Sequence, residues 1–161
     1  MSKRYTIDLP VSNRLLDNSN PFSNSKLHEI NARSDVELRN NLEKFARYFK
    51  DEMRYDNVPY DAANHERNWT GYLFKTPALD LVKDENLPTP MRWFGGCLFR
   101  QENEEWTLCW IWLHPFFRNR GELSTEWKEF KKKYGSFKIQ EPLSAQMERF
   151  LIKRRDVKPG S

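Results

Sequence analysis

Between residues 106 and 123 an apolar run breaks into a proline, two phenylalanines and a polar turn that ends on a glycine. No other stretch of the chain constrains the fold as tightly. Residues 108–113 are apolar at odd and even positions alike, which suits a strand covered on both faces and excludes an edge strand with one wet face. Pro115 stops that strand. After Arg118, Asn119, Arg120 and Gly121, the residues Trp127, Phe130 and Tyr134 recur at three- and four-residue steps, the stripe of an amphipathic helix. The order is therefore strand, tight turn, helix.

The first N–H groups of a helix lack intrahelical partners and point out of its N-terminus, where the macrodipole adds partial positive charge. Phosphate is a natural ligand there. Gly121 lets the backbone approach an anion with no Cβ in the way, and Arg118 and Arg120 would add charge-assisted donors. A plain strand-to-helix connection with two solvated arginines fits the same spacing equally well.

At these residues the chain resembles the GNAT superfamily of N-acetyltransferases. Its acetyl-CoA signature is a hydrophobic strand, a Val/Leu-x-Pro, an aromatic, and an Arg/Gln-x-x-Gly-x-Gly/Ala turn opening a helix. Leu113, Pro115, Phe117, Arg118 and Gly121 fall on those positions in order. Leu123 stands where the family usually has Gly or Ala, and Glu122 sets a carboxylate beside the expected diphosphate. The resemblance implies acetyl-CoA as co-substrate. Backbone groups around Leu113 would hold the pantetheine amide, and Arg118, Asn119, Arg120, Gly121, Glu122 and Leu123 the diphosphate, chiefly through backbone amides. It also implies an α/β fold with a GNAT-like mixed central sheet flanked by helices, in which two parallel strands splay apart to admit the pantetheine arm. The resemblance spans residues 91–154. The family's sixth and seventh strands would be absent or supplied from elsewhere, so the sheet is expected to be shortened at the C-terminus.

A chain of 161 residues fits one domain with its own core, needing neither disulfides nor metal. Residues 1–90 would hold an N-terminal strand, a helix and loops, residues 91–154 the acetyl-CoA-binding core, and residues 155–161 a frayed tail. No apolar run approaches the roughly 20 residues that span a bilayer, so no membrane partner is expected. The first residues lack the apolar core of a secretory signal, and the expected address is cytoplasmic. Cys97 and Cys109 lie in strand-like runs and not at metal-ligand spacing, so no metal site is expected. With a hairpin turn centred near Asn103 they would face each other across the ladder as free thiols. From Arg118 onward the chain carries about +6, and the rest about −2. That basic half suits a ligand with several phosphates, and a nucleic acid as well.

Other elements follow from local patterns. Residues 5–9 alternate as a short strand, and residues 12–25, rich in Ser and Asn, read as a loop. Ser34 to Glu37 has capping-box spacing, and Leu38, Leu42, Phe45, Ala46, Phe49 and Met53 share one face, which predicts a helix over 35–55. Strands are expected at 69–75, 78–82 and 92–100. Gly95 and Gly96 mark a bulge or a close backbone approach in the last of these. It should pair with 106–113 as an antiparallel hairpin. Gly135 is placed to stop the helix that begins near residue 122, and residues 137–140 read as a parallel strand that completes a βαβ unit. Ser144 can cap a last helix over 144–153, with Met147, Phe150 and Leu151 on one side.

Acetyl transfer to an amine needs an oriented thioester, a neutral amine and a proton for the departing thiolate. Family members often use a carboxylate on or near the central strand as base, and residues 107–113 contain none. Glu66, Asp80 and His65 are the available base candidates, and a water relay is the alternative. The family's tyrosine donor in the last helix has no counterpart, since Phe150 and Leu151 carry no proton to give. Ser144, the one hydroxyl at the start of that helix, is the candidate donor, with a cap as its plain structural role. The sequence thus predicts an N-acetyltransferase acting by direct attack on an unidentified amine of a protein or small molecule. The alternative is a non-catalytic basic module that binds nucleic acid or a protein partner.

Overall fold

Twelve residues of one strand and nine of the next, joined through Asn103 and Glu104, form the spine of the fold. Both turn residues adopt positive φ, 50° and 68°, which matches the right-handed twist of the flanking strands. The computed structural model describes residue 7 and residues 9–12, 27–63, 66, 68–78, 80, 90–118, 120–141 and 144–157. The loop at 12–25 and the strands expected at 5–9 and 78–82 fall mostly outside those residues, as do His65 and Asn119 entirely.

The described strands are β1 (Val11–Ser12), β2 (Leu27–Ile30), β3 (Trp69–Pro77), β4 (Met91–Glu102), β5 (Glu105–Leu113) and β6 (Lys138–Ile139), with helices α1 (Val36–Met53), α2 (Glu122–Tyr134) and α3 (Ala145–Val157). They form one mixed sheet in the order β2-β3-β4-β5-β6. All pairings are antiparallel except β5 with β6, which is parallel and meets only at Thr107–Lys138 and Leu108–Ile139. Beyond Leu113, β1 takes the place of β5 alongside β4. The strand β2 had no place in the sequence reading, and α3 runs through Val157, past the expected end at 153 and into the expected tail.

α1 covers one face of the sheet. Leu42, Phe45 and Ala46 are fully buried there against Leu73, Trp93 and Trp112, each large apolar side chain contributing roughly 1.5–3 kcal/mol of burial. α2 and α3 cover the other face, where Trp127, Phe130, Tyr134 and Met147 meet Phe74, Phe94, Phe99 and Leu108. The expected capping box does not form at α1. Ser34 Oγ instead accepts from the Asn31 amide at 2.9 Å, closing the turn before the helix, and Asp35 is the N-cap residue without a side-chain cap bond. Arg54, at φ 58°, ends the helix.

Gly95 and Gly96 do mark both a bulge and a close approach. The β3–β4 register slips between Phe74 and Lys75. A Cβ on Gly95 would lie 2.5 Å from the Trp112 carbonyl oxygen, inside any real contact distance. A second slip between Leu98 and Phe99 corrects the expected cysteine pairing. Cys97 stands opposite Ile111, and Cys109 is the extra residue with no partner of its own. Cys97 packs in the core beneath α2, Cys109 against the core beneath α1, and both are free thiols. The two sulfurs lie on opposite faces because the turn is centred between Asn103 and Glu104 and not on Asn103: Phe99 pairs with Leu108, and Cys109, one residue on, faces away from Cys97.

Candidate active site

β5 outruns β6, and the cavity lies where it does so. Within the antiparallel ladder His114 N donates to Phe94 O at 2.8 Å, so strand alternation turns the backbone groups of Ile111 and Leu113 away from β4. A cavity of about 230 Å³ adjoins this edge. The end of β5, the first residues of α2 and a mixed face of α3 that includes Met147 and Phe150 line it, and Phe49 and Glu52 close it from α1.

The turn after β5 is built to hold the chain at this edge. Pro115–Phe117 form a single 3-10 turn, whose cap is His114: Nδ1 accepts from Phe116 N at 3.1 Å. Burial and the nearby Arg118 charge lower the His114 pKa, which favours the neutral ring this bond requires. Phe117 stacks on Phe94 with centroids 4.3 Å apart, anchoring the turn to the sheet. Gly121 then adopts φ 80° as the N-cap of α2, with no side-chain cap bond. A Cβ at Gly121 would meet nothing within 4 Å. The glycine is therefore required by its left-handed backbone and not by crowding within the protein. The first amides of α2 open toward the cavity side, where Gly121, Glu122, Leu123 and Ser124 all contribute to its wall.

The arginines are placed differently from expectation. Arg118 Nε donates to Leu113 O at 2.8 Å, and its Nη2 bonds Glu52 Oε1 at 2.8 Å. Its donors thus reach back over Trp112 toward α1 and not forward to the α2 amides. Arg120 is exposed and lies 4.0 Å over the Phe116 ring. Leu113, Arg118, Gly121, Glu122 and Leu123 share the cavity wall, while Asn119 lies outside the described residues.

Among the catalytic candidates, Ser144 lies at the cavity, and its Oγ accepts from Met147 N at 3.1 Å as the cap of α3. A hydroxyl that accepts one bond keeps its own O–H for a second partner. Glu66 and Asp80 are exposed and do not line the cavity. Asp80 is held by Arg92 in a two-pronged pair at 2.9 Å, which lowers its carboxyl pKa and sets it apart from any chemistry there.

Sequence reasoning missed three charged residues of the wall: Glu52 on α1, and Arg149 and Lys153 on α3. Glu52 follows Phe45 by seven and Phe49 by three, a charge set on the apolar stripe, and that irregularity was legible. Gln146, Arg149 and Lys153 repeat at helical spacing, yet any solvated helix face reads the same way. Among the described residues no three metal-binding side chains cluster, and no helix is long and apolar enough to cross a membrane. The chain matches no protein-family model and no curated protein.

Proposed function

We propose that the chain is a GNAT-type N-acetyltransferase that moves an acetyl group from acetyl-CoA to an amine by direct attack. The observation that carries this reading is the cavity's position, bounded by the outward edge of β5 on one side and the α2 N-terminus on the other. A strand edge offers amide and carbonyl partners to a pantetheine arm, and a helix N-terminus offers amides to a diphosphate. At about 230 Å³ the cavity suits a narrow, chain-like segment, below the roughly 300–1,000 Å³ of pockets for compact ligands. Arg149 and Lys153 add positive charge at the same wall.

In the reaction the thioester supplies the acyl group. The amine nitrogen forms a bond to the carbonyl carbon, the carbon–sulfur bond breaks, the nitrogen loses a proton, and the thiolate takes one up. An ordinary alkylamine, with pKa about 10.4, lies roughly 4.6 kcal/mol from its neutral form at pH 7. In this reading Ser144, which lines the cavity and whose Oγ acts as acceptor in its cap bond, protonates the thiolate. The alternative of a basic docking module draws no support from the lysine run. Lys131 lies over the Phe137 ring, Lys132 pairs with Glu129 and Lys133 with Glu29.

Acetyl-CoA at about a hundred times its dissociation constant should stabilise the native state by roughly 2.7 kcal/mol, a melting shift of about 5–10 °C. Gly121→Glu should abolish the shift, because it sets a negative charge at the α2 amides. Lys132→Ala, at the far end of that helix, should retain it. A native chain that neither shifts nor binds acetyl-CoA by calorimetry overturns the acetyltransferase reading.

A further inference from the structure

Glu52 sits in the last turn of α1, where the negative end of the helix dipole disfavours a carboxylate. It is also set on the stripe that otherwise buries Leu42, Phe45 and Phe49. A carboxylate held in such a place is favoured by a cation beside it. In this structure the cation is internal: the Arg118 guanidinium bonds Glu52 at 2.8 Å and lies 5.7 Å from the centre of the Trp112 ring. The pair remains 17 % and 26 % exposed, so one cation can exchange for another there without stranding a charge in a dry interior.

We infer that Glu52, with Phe49 and Trp112 beside it, forms the binding site for the acceptor, a monoamine carried on an apolar body, and that Arg118 occupies this site until the amine takes its place. The composition of the wall sets the ligand class. A carboxylate beside aromatic rings attracts an ammonium by charge and by the negative face of the ring. Ile111, Leu113 and Phe117 continue the wall as apolar surface. Of the two glutamates in the wall, Glu52 is on α1 and is the one bonded to Arg118, whereas Glu122 is on another element, in the first turn of α2. One carboxylate on the α1 side matches one ammonium, whereas a polyamine needs several. Release of Arg118 also frees the Leu113 carbonyl, which that side chain holds through Nε. The same movement therefore opens the β5 edge and uncovers Glu52.

That the bound amine is an acetyl acceptor rests on the acetyltransferase reading; its capture by Glu52 does not, and is measured without cofactor. Phenethylamine is titrated by calorimetry into wild type, Arg118→Gln, Glu52→Gln and the Arg118→Gln/Glu52→Gln pair. Phenylpropionate, of similar shape and opposite charge, serves as control. Arg118→Gln can keep a bond to Leu113 O while removing the competing charge. It should bind phenethylamine at least tenfold more tightly than wild type, the double variant should lose that gain, and phenylpropionate should not bind. Equal affinities in wild type and Arg118→Gln, or a gain that survives Glu52→Gln, overturns the inference. Should Arg118→Gln fail to fold, wild type against Glu52→Gln decides it: saturable binding must be present in the first and weakened at least tenfold in the second. Amine binding by Arg118→Gln with no acetyl-CoA binding by wild type would retain this site and remove the acetyltransferase reading. The reverse pattern would do the opposite.

Discussion

Ser144 shows how one side chain can hold two roles that different measurements separate. Its Oγ caps α3 through the Met147 amide, so Ser144→Ala should cost about 1 kcal/mol in a urea melt, with Ser144→Thr recovering most of it. The cap alone predicts unchanged turnover by the folded protein. A fall of ten- to a thousandfold with acetyl-CoA affinity intact is the outcome expected if the same hydroxyl protonates the thiolate. Gly121 and Gly95 make a similar contrast. The first needs its positive φ, and the second needs the space that the Trp112 carbonyl fills. Spacing in the sequence singled out both, but only coordinates tell strain from collision.

At the scale of elements, the β4–β5 hairpin governs where the cavity lies. It fixes which β5 backbone groups face outward, and its turn is not optimised. Glu104 sits at φ 68°, a conformation that glycine adopts freely and other residues adopt at a cost of about 1–2 kcal/mol. Asn followed by Gly is the preferred pair for such a two-residue turn. Glu104→Gly should therefore stabilise the protein by about 0.5–1 kcal/mol after the entropy of glycine is subtracted, seen as a raised urea midpoint with unchanged slope. An unchanged or lowered midpoint would mean that Glu104 makes compensating contacts through its side chain.

For the molecule as a whole, acid sensitivity should come from two histidines before it comes from carboxylates. His28 has its pKa lowered by burial and by Lys75, against an opposing pull from Glu29, and packs 5.7 Å from Trp93. His114 is lowered by burial and by Arg118. A group whose folded pKa lies below its unfolded value binds fewer protons in the native state. Its stabilisation is complete above the unfolded value of 6.5 and is lost as pH falls from there through the folded pKa. Stability from urea melts should thus decline between about pH 7 and 5. His28→Phe with His114→Asn should flatten that decline, the asparagine oxygen standing in for Nδ1 at the Phe116 amide. The Asp80–Arg92 pair acts in a separate window, below the ordinary carboxyl value of 3.8.

Local pattern determined α1, α2, α3, the β4–β5 pairing and the βαβ crossover, because helical periodicity, glycine stops and strand runs are written over neighbouring residues. The same locality kept β2 hidden. Leu27–Ile30 is four residues long, with His28 and Glu29 in its middle, and becomes a strand only because β3 pairs with it. Tertiary packing alone decided the parity of β5. The bulge at Cys109 and the slip near Gly95 depend on what lies across each ladder, and the first decides which face each β5 residue beyond Cys109 presents. The same holds for the cavity wall. Pro115, Phe117 and Gly121 announce a turn by spacing, but the reach of Arg118 to Glu52, 66 residues away in sequence, exists only once α1 is packed on the sheet.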